Sequence, residues 1–426
     1  MSAPPALQLS DGQHAVLAGA SGEASALAMR VVCRMAGIAG ATRLRPITGA
    51  HIDGCIYFGV SMLDFAERLV DLGAQVTVPT TSNVGSIDLI HPELYRGPSE
   101  TAAGARRLME AYLEMGCKAT WTCAPYQLQA RPGLGEHVCW AESNAIVFAN
   151  SVLGARTDRY GDFMDICAAI VGLVPDAGLH RDENRHGQIV FDLTGLRPEL
   201  LHSDAFYPTL GHLIGKQAGD EVPVIVGLPA DCDEDRLKAI AASAASSGAV
   251  AIFHAVGLTP EAPTLEAALG GKPERRRVEV EASMVRASRD ALGRMAPGTA
   301  LDAVCIGTPH FSLTEFEKLD RVLTTVDPAE LIAPIYVSTG RWVWQEAKRR
   351  GHLERAERLG VTVVVDTCTY NTQILPADSR RAMTNSGKWA YYAPGNIGVD
   401  VAFGSLRECV LSAVAGAVVR EEEAWS

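Results

Sequence analysis

The stretch VTVVVDTCTYN, residues 361–371, is a short β-branched run that ends in a cysteine followed by polar residues. Two further runs have the same form, namely KATWTCAPY (residues 118–126) and ALDAVCIGTPH (residues 300–310). The thiols concerned are Cys123, Cys305 and Cys368. In an open α/β sheet, ligands bind in the crevice outside the carboxyl ends of parallel strands. The sequence therefore predicts that the three thiols converge, and the alternative is that they are ordinary buried cysteines.

Strand-like runs alternate with helical patterns along almost the whole chain, which indicates an α/β fold with parallel sheets. Two helices have readable ends. Ser10 with Gln13 predicts a capping box, and Ser99 and Gly116 predict the start and the end of a second helix.

The length of 426 residues is too great for one small core and indicates two or three domains. We expect three α/β regions, at residues 1–210, 211–300 and 301–426. The first would hold Cys123 and the substrate loops, and the third would hold Cys305, Cys368 and Lys388.

The composition is typical of a globular cytoplasmic enzyme. A net charge of −12 disfavours nucleic acid as a partner, because phosphate binding needs a basic face. No apolar run approaches the length that a membrane-spanning helix needs. Ten cysteines without a secretory signal indicate reduced thiols or a metal site rather than a disulfide framework.

Three thiolates at one place would suit iron or zinc. Thiolate is a soft ligand, and three protein ligands leave one coordination position open for water or a substrate hydroxyl. Histidines could also serve as ligands or bases, and the candidates are His51, His137, His254 and His310. No HExxH pattern or paired histidine spacing occurs, which disfavours zinc hydrolysis.

Two loops near the N-terminus have donors for an anionic substrate. PTTSNVGSIDL, residues 79–89, offers Ser82 and Asn83, or else forms a turn in which these side chains bond their own backbone. In residues 55–69 a strand passes through Gly59, Val60 and Ser61 directly into a helix, whose free N–H groups could bind an anion.

Two later segments place charge in apolar surroundings. The segment 137–163 carries Glu142 and Arg156 among apolar residues, which favours a site over a solvated helix face. Lys388 in AMTNSGKWAYYAPGN, beside Ser386, could neutralise a carboxylate or move protons, although a lone lysine is more often a surface residue.

Five motifs together carry a resemblance to a known family. They are TTSNVGSIDL, AESNAIVFANSVLGARTDRYGDF, CIGTPHFSL, DTCTYN and MTNSGKWAYYAPG. Taken in this order along the chain, they resemble the large catalytic subunit of the aconitase X family. The resemblance implies a hydro-lyase with an aconitase-like fold of about three doubly wound α/β domains around a central metal site.

In this family an iron or iron–sulfur centre is held by three cysteines, at positions that match Cys123, Cys305 and Cys368. The centre would be mononuclear iron, 2Fe-2S or 4Fe-4S, since three cysteines are compatible with each. The substrate-contact positions that the resemblance implies are Gly59, Val60, Ser61, Asn83, Glu142, Ala145 and Lys388.

The family also uses a small swivel module, and nothing in the 426 residues looks like it. We therefore expect a separate small swivel-domain subunit, which by analogy with aconitase would supply a serine as the base. Bacterial members resemble cis-3-hydroxy-L-proline dehydratases, which form 1-pyrroline-2-carboxylate, and archaeal members look like phosphomevalonate dehydratases. Only seven of the 38 basic residues are Lys, and this composition favours the bacterial activity.

Within this scheme Lys388 and Glu142 are the catalytic candidates of this chain: Lys388 would hold the substrate carboxylate, and Glu142 would contact the ring ammonium. Further substrate-binding candidates are Ser82, Arg156 and Ser386. Two rival hypotheses stay open. The chain could be a non-catalytic scaffold or binding subunit, or it could hold a structural zinc ion.

Overall fold

The computed structural model describes residues 7–327, 330–422 and 425, so the first six residues of the predicted first region lie outside it. It has an α/β fold whose three larger sheets are parallel, as the sequence predicts. No helix in the described ranges is long and apolar enough to cross a membrane.

The N-terminal part (residues 11–175) has a three-stranded parallel sheet in the order β3-β2-β4 and an antiparallel pair, β1-β5. Its strands are β1 (Leu44–Pro46), β2 (Ala50–Ile52), β3 (Thr80–Ser82), β4 (Cys139–Trp140) and β5 (Leu173–Pro175). Its helices are α1 (Asp11–Leu17), α2 (Glu23–Ile38), α3 (Val60–Asp71), α4 (Ser99–Glu114), α5 (Ser143–Phe148) and α6 (Met164–Val171). The Ser10–Gln13 capping box at α1 is confirmed, as are the start of α4 at Ser99 and the positive φ of Gly116 beyond its end.

The middle part (residues 189–292) is a four-stranded parallel sheet in the order β8-β7-β6-β9 with its helices. The strands are β6 (Ile189–Asp192), β7 (Pro223–Val226), β8 (His254–Ala255) and β9 (Arg276–Glu279). The helices are α7 (Pro198–His202), α8 (Phe206–Ala218), α9 (Glu234–Ser247), α10 (Leu265–Ala268) and α11 (Ala282–Leu292). Helix α8 runs across residues 210 and 211, where the sequence-based boundary falls.

Helices α8 and α9 pack unusually closely because glycines face the contact. A Cβ added at Gly211 would lie 2.4 Å from the Ile240 carbonyl oxygen, and one at Gly215 would lie 2.2 Å from Ser247 Oγ. Any larger residue would push the helices apart.

The C-terminal part (residues 303–415) is a five-stranded parallel sheet in the order β12-β11-β10-β13-β14. The strands are β10 (Ala303–Phe311), β11 (Ile335–Thr339), β12 (Thr362–Val365), β13 (Arg381–Thr384) and β14 (Asp400–Phe403). The helices are α12 (Leu313–Val326), α13 (Arg341–Arg349), α14 (Glu354–Arg358), α15 (Gly387–Asn396) and α16 (Leu406–Ala415). The strand order reverses between β10 and β13, and such a switch point is where doubly wound sheets bind ligands.

A buried ionic cluster joins the middle and C-terminal parts. Lys238 on α9 lies 3.0 Å from Asp235 and also pairs with Glu315 on α12. Its ammonium is almost fully buried, so the two carboxylates replace the water that it loses on folding.

Candidate functional site

Two of the three predicted thiols meet at the carboxyl ends of the sheets. Cys123, from a loop of the N-terminal part, and Cys368, from the loop after β12, are both buried. With His310 on β10 they form a group in which all potential ligand atoms lie within 4.8 Å of one another. The prediction of a strand in KATWTC is wrong, because this segment makes only an isolated parallel bridge between Lys118 and Thr81, so the N-terminal part brings Cys123 to the site on a loop.

Cys305 lies elsewhere, and the interpretation of it as a strand-end residue is wrong. Strand β10 continues to Phe311, because Gly307, with φ of 88°, accommodates a register irregularity inside the strand instead of a turn. The Cys305 thiol lies beside Thr369, and burial raises its pKa to about 12. The residue of this strand that reaches the other thiols is His310. A metal-binding role for Cys305 stays a prediction.

His310 is held in a neutral form. Its Nε2 lies 3.1 Å from the Thr367 carbonyl oxygen, so Nε2 carries the proton and donates it. Its Nδ1 lies 3.0 Å from the Thr122 hydroxyl, which donates to it. Burial lowers the pKa of His310 to about 4. Its backbone N–H donates to Cys123 Sγ at 3.2 Å, which fixes the distance between the two residues.

The donor set fits a transition metal. Two thiols and one neutral imidazole are ligands that iron and zinc accept, and three protein donors leave a coordination position open. His310 would bind through Nδ1, whose hydrogen bond from the Thr122 hydroxyl the metal would replace. A hydrogen bond with Cys123, together with burial, raises the pKa of Cys368 well above its usual range, while the Lys388 ammonium opposes this. A bound cation would stabilise the thiolate that burial disfavours.

Lys388 and Glu142 form a buried ion pair beside the thiols. The Lys388 ammonium donates to Glu142 Oε1 and, at 3.3 Å, to the Ser143 hydroxyl. Burial lowers the pKa of Lys388, but Glu142, Tyr370 and Cys123 outweigh it, so the pKa lies well above its usual range. The lysine therefore stays charged.

Glu142 has its hydrogen-bonding capacity filled. Its Oε1 accepts from Lys388 and, at 3.1 Å, from Ser143, while its Oε2 accepts from Asn144 and, at 2.8 Å, from the backbone N–H of Ala145. A carboxylate has about four lone-pair sites, so all are used. Glu142 is thus the N-cap of α5, and its carboxylate holds the Lys388 ammonium in place.

Asn83 and Asp53 form a second polar pair. The Asn83 amide donates to Asp53 Oδ1, and Asn83 Oδ1 is buried without a partner among the described atoms. Burial and then the Glu142 carboxylate raise the pKa of Asp53 well above its usual range, while Lys388 lowers it. The sequence analysis missed Asp53, although it directly follows β2 in the same way that other site residues follow their strands.

The predicted anion-binding turn lies at the start of α3. Gly59 is the N-cap with φ of 149°, no side chain caps the helix, and Val60 and Ser61 are exposed. Ile56, just before this turn, packs against the cluster that contains Cys123 and Cys368. The turn therefore continues from the thiols toward the surface, with a helix start that no side chain caps.

Three predicted substrate residues have partners within the fold, and a fourth, Ser82, does not. Arg156 pairs with Asp182, whereas the Ser82 hydroxyl is buried without a hydrogen-bond partner among the described atoms. The backbone N–H of Ala145 is bound to Glu142. Ser386 donates to the Thr308 carbonyl and caps α15, which positions Lys388 on the first turn of that helix.

The other candidate histidines lie in separate contacts. His51 Nδ1 lies 2.8 Å from the Thr81 hydroxyl, and His254 Nε2 donates to the Arg185 carbonyl at 2.7 Å. His137 Nδ1 lies 2.9 Å from His180 Nδ1. None of these three candidates belongs to the thiol group.

Comparison with known proteins places the chain in a family. Family models described as the aconitase X first, second and third domains match residues 6–183, 187–290 and 301–415. The chain belongs to the aconitase X family. Within the fold of an aconitase X protein, the thiol pair thus joins the first and third matched domains.

Its relatives are named as dehydratases. The chain is 43% identical to the cis-3-hydroxy-L-proline dehydratase of Pseudomonas aeruginosa, over 97% of this chain and 71% of that protein. It is 34% identical to the phosphomevalonate dehydratase large subunit of Methanocaldococcus jannaschii, over 94% of this chain and 99% of that one. The crystal structure of the holo-form of aconitase X from Thermococcus kodakaraensis superposes with a TM-score of 0.86 at 32% identity, over 96% of this chain and all of that one. The chain is therefore an enzyme of the dehydratase type.

Proposed function

We propose that the chain is the large subunit of a hydro-lyase that removes water from cis-3-hydroxy-L-proline and yields 1-pyrroline-2-carboxylate. The observation that carries this proposal is the 43% identity, over almost the whole chain, to an enzyme named for that substrate. The relatives named for phosphomevalonate are 32 to 34% identical.

The metal of this proposal is iron, mononuclear or in a 2Fe-2S or 4Fe-4S cluster. Cys123 and Cys368 would hold it, with His310 or Cys305 as the third protein donor. Bound iron would supply a Lewis acid for the departing hydroxyl.

Lys388 would bind the substrate carboxylate. An ammonium has three N–H bonds, and its contacts with Glu142 and Ser143 use two of them, which leaves one for a ligand. The N–H groups at the start of α3, after Gly59, would supply further donors. Glu142 keeps Lys388 charged and in place without itself reaching the substrate.

The geometry of the substrate favours anti elimination. In cis-3-hydroxy-L-proline the hydroxyl and the carboxylate share one ring face, so the C2 proton lies on the other. With the carboxylate held by Lys388, that proton points away from the metal side of the site. We assign its removal to a serine of a small swivel-domain subunit, in line with the term large subunit in the names of the archaeal relatives. The enamine formed would then tautomerise to the cyclic imine.

The test is co-expression of the chain with a candidate small subunit, followed by dehydration assays on cis-3-hydroxy-L-proline and on phosphomevalonate. We expect turnover of the hydroxyproline by the complex. Turnover of phosphomevalonate alone would refute the proposed substrate, and a small subunit that is fully active by itself would make this chain a scaffold. Metal analysis of the anaerobically purified complex should find iron, and stoichiometric zinc in a colourless protein would favour the structural zinc hypothesis.

A further inference from the structure

One carboxyl group near the candidate site, that of Asp53, has no cation paired with it among the described residues. Asp53 accepts the Asn83 amide on Oδ1, and its backbone N–H donates to Asp165 Oδ2 at 2.7 Å. Within the described ranges, no Lys, Arg or His forms an ion pair with Asp53, whereas Glu142 has Lys388. Asp53 is nevertheless close enough for its pKa to respond to both members of that pair.

A substrate ammonium needs a carboxylate, and Glu142 is not free to provide one. Both Glu142 oxygens already have two donors each, so a ligand would have to displace one of them. Asp53 as a residue is half-buried, and the cation that its carboxyl group lacks is what an ammonium ligand would bring. A cation there would also offset the burial that disfavours the Asp53 carboxylate.

Asn83 orients this carboxyl group. Its amide donates to Asp53, and its own buried Oδ1 lacks a protein donor. A buried acceptor without a partner is costly unless a ligand or water supplies a proton. An N–H bond of a secondary ammonium between Asp53 and Asn83 Oδ1 would satisfy both groups.

We infer that Asp53, oriented by Asn83, binds the ring ammonium of the substrate and so selects a cyclic amino acid over an anionic substrate that lacks nitrogen. This inference rests on the proposed function, since it concerns the substrate of the same candidate site. The sequence analysis assigned the contact with the ring ammonium to Glu142, and this inference assigns it to Asp53 instead.

Two ligands that differ only in the ring atom test the inference. L-Proline carries the ring ammonium, and (S)-tetrahydrofuran-2-carboxylate has an ether oxygen in its place. Dissociation constants are measured by calorimetry on the complex of the chain with its small subunit. In Asp53→Asn we expect proline binding to weaken by about tenfold or more, the usual worth of a hydrogen bond to a charged group. The ether should change by less than about twofold, which also shows that the variant site is folded.

The matched control is Asp162→Asn, which removes a neighbouring carboxylate that influences Asp53 only through its field. It should leave both ligands within about twofold of the unaltered complex. Equal weakening of proline and the ether in Asp53→Asn would assign the residue a structural role and overturn the inference. If the unaltered complex bound proline no more tightly than the ether, the inference would likewise be overturned. Failure of the unaltered complex to dehydrate cis-3-hydroxy-L-proline would instead refute the proposed function.

Discussion

Replacing Lys388 by Met tests the role assigned to the buried ion pair. The substitution keeps a flexible apolar side chain of similar length and removes the ammonium. Removing one partner of a buried pair costs about 3–5 kcal/mol, because the other charge stays buried. Glu142 keeps three donors, namely Ser143, Asn144 and the N–H of Ala145, so we expect the lower end of the range, about 3 kcal/mol.

Lys388→Met should also lower kcat/KM, and this fall is measured independently of the loss of stability. A lost hydrogen bond from a charged donor to the substrate carboxylate predicts a fall in kcat/KM of about 10- to 100-fold. The assays are urea unfolding of the chain and initial rates of formation of 1-pyrroline-2-carboxylate by the complex. The matched control is Lys216→Met, since this exposed lysine lies 3.4 Å from the Tyr391 hydroxyl at the surface.

A double-mutant cycle isolates the pair. If Lys388 and Glu142 act together, Lys388→Met combined with Glu142→Gln should be less destabilising than the sum of the single changes, by about 1 kcal/mol or more. The reasoning would be refuted if Lys388→Met kept both the urea midpoint and kcat/KM of the unaltered protein.

Three further predictions follow from the same structure. Cys368→Ala should strip the metal and abolish turnover, whereas Cys305→Ala should retain the metal if His310 is the third donor; metal analysis decides between the two sets. Lys238→Met should lower the free energy of unfolding by about 3 kcal/mol, the lower end of the range for a buried pair, because two half-buried carboxylates lose their buried cation, and an unchanged urea midpoint would contradict this. Burial and then His137 lower the pKa of His180 to about 3, so the folded protein binds fewer protons than the unfolded chain below pH 6.5 and loses stability as the pH falls toward 3. His180→Gln should flatten that part of the stability–pH curve, and an unchanged slope would remove His180 as its source.

The parallel α/β architecture was readable from the sequence because β-branched runs alternate with helical patterns. The meeting of Cys123 and Cys368 agrees with the strand-end rule only in part, since Cys368 follows β12, whereas KATWT before Cys123 forms no strand and makes only an isolated parallel bridge between Lys118 and Thr81. The rule failed at Cys305 because glycine and proline in CIGTPH are local turn signals, and only the pairing of β10 with β11 keeps this segment in a strand.

The sequence could not show which polar side chains already have all their hydrogen-bonding sites occupied. Nothing in AESNA indicates that one carboxylate collects four donors, because three of them depend on how the first turn of α5 folds around Glu142 and the fourth is Lys388 from α15. Asp53 was missed for the opposite reason, since HIDG contains no unusual pattern and its importance comes from contacts with Asn83 and the field of Glu142.

The position of the two thiols on separate parts has a thermodynamic consequence. Cys123 and Cys368 are far apart in the chain, so a cation held by both would act as a cross-link that closes a very long loop. Part of the free energy of metal binding would then stabilise the contact between the N-terminal and C-terminal parts. A chelator would in that case also weaken the association of the N-terminal and C-terminal parts, in addition to removing the metal from the site.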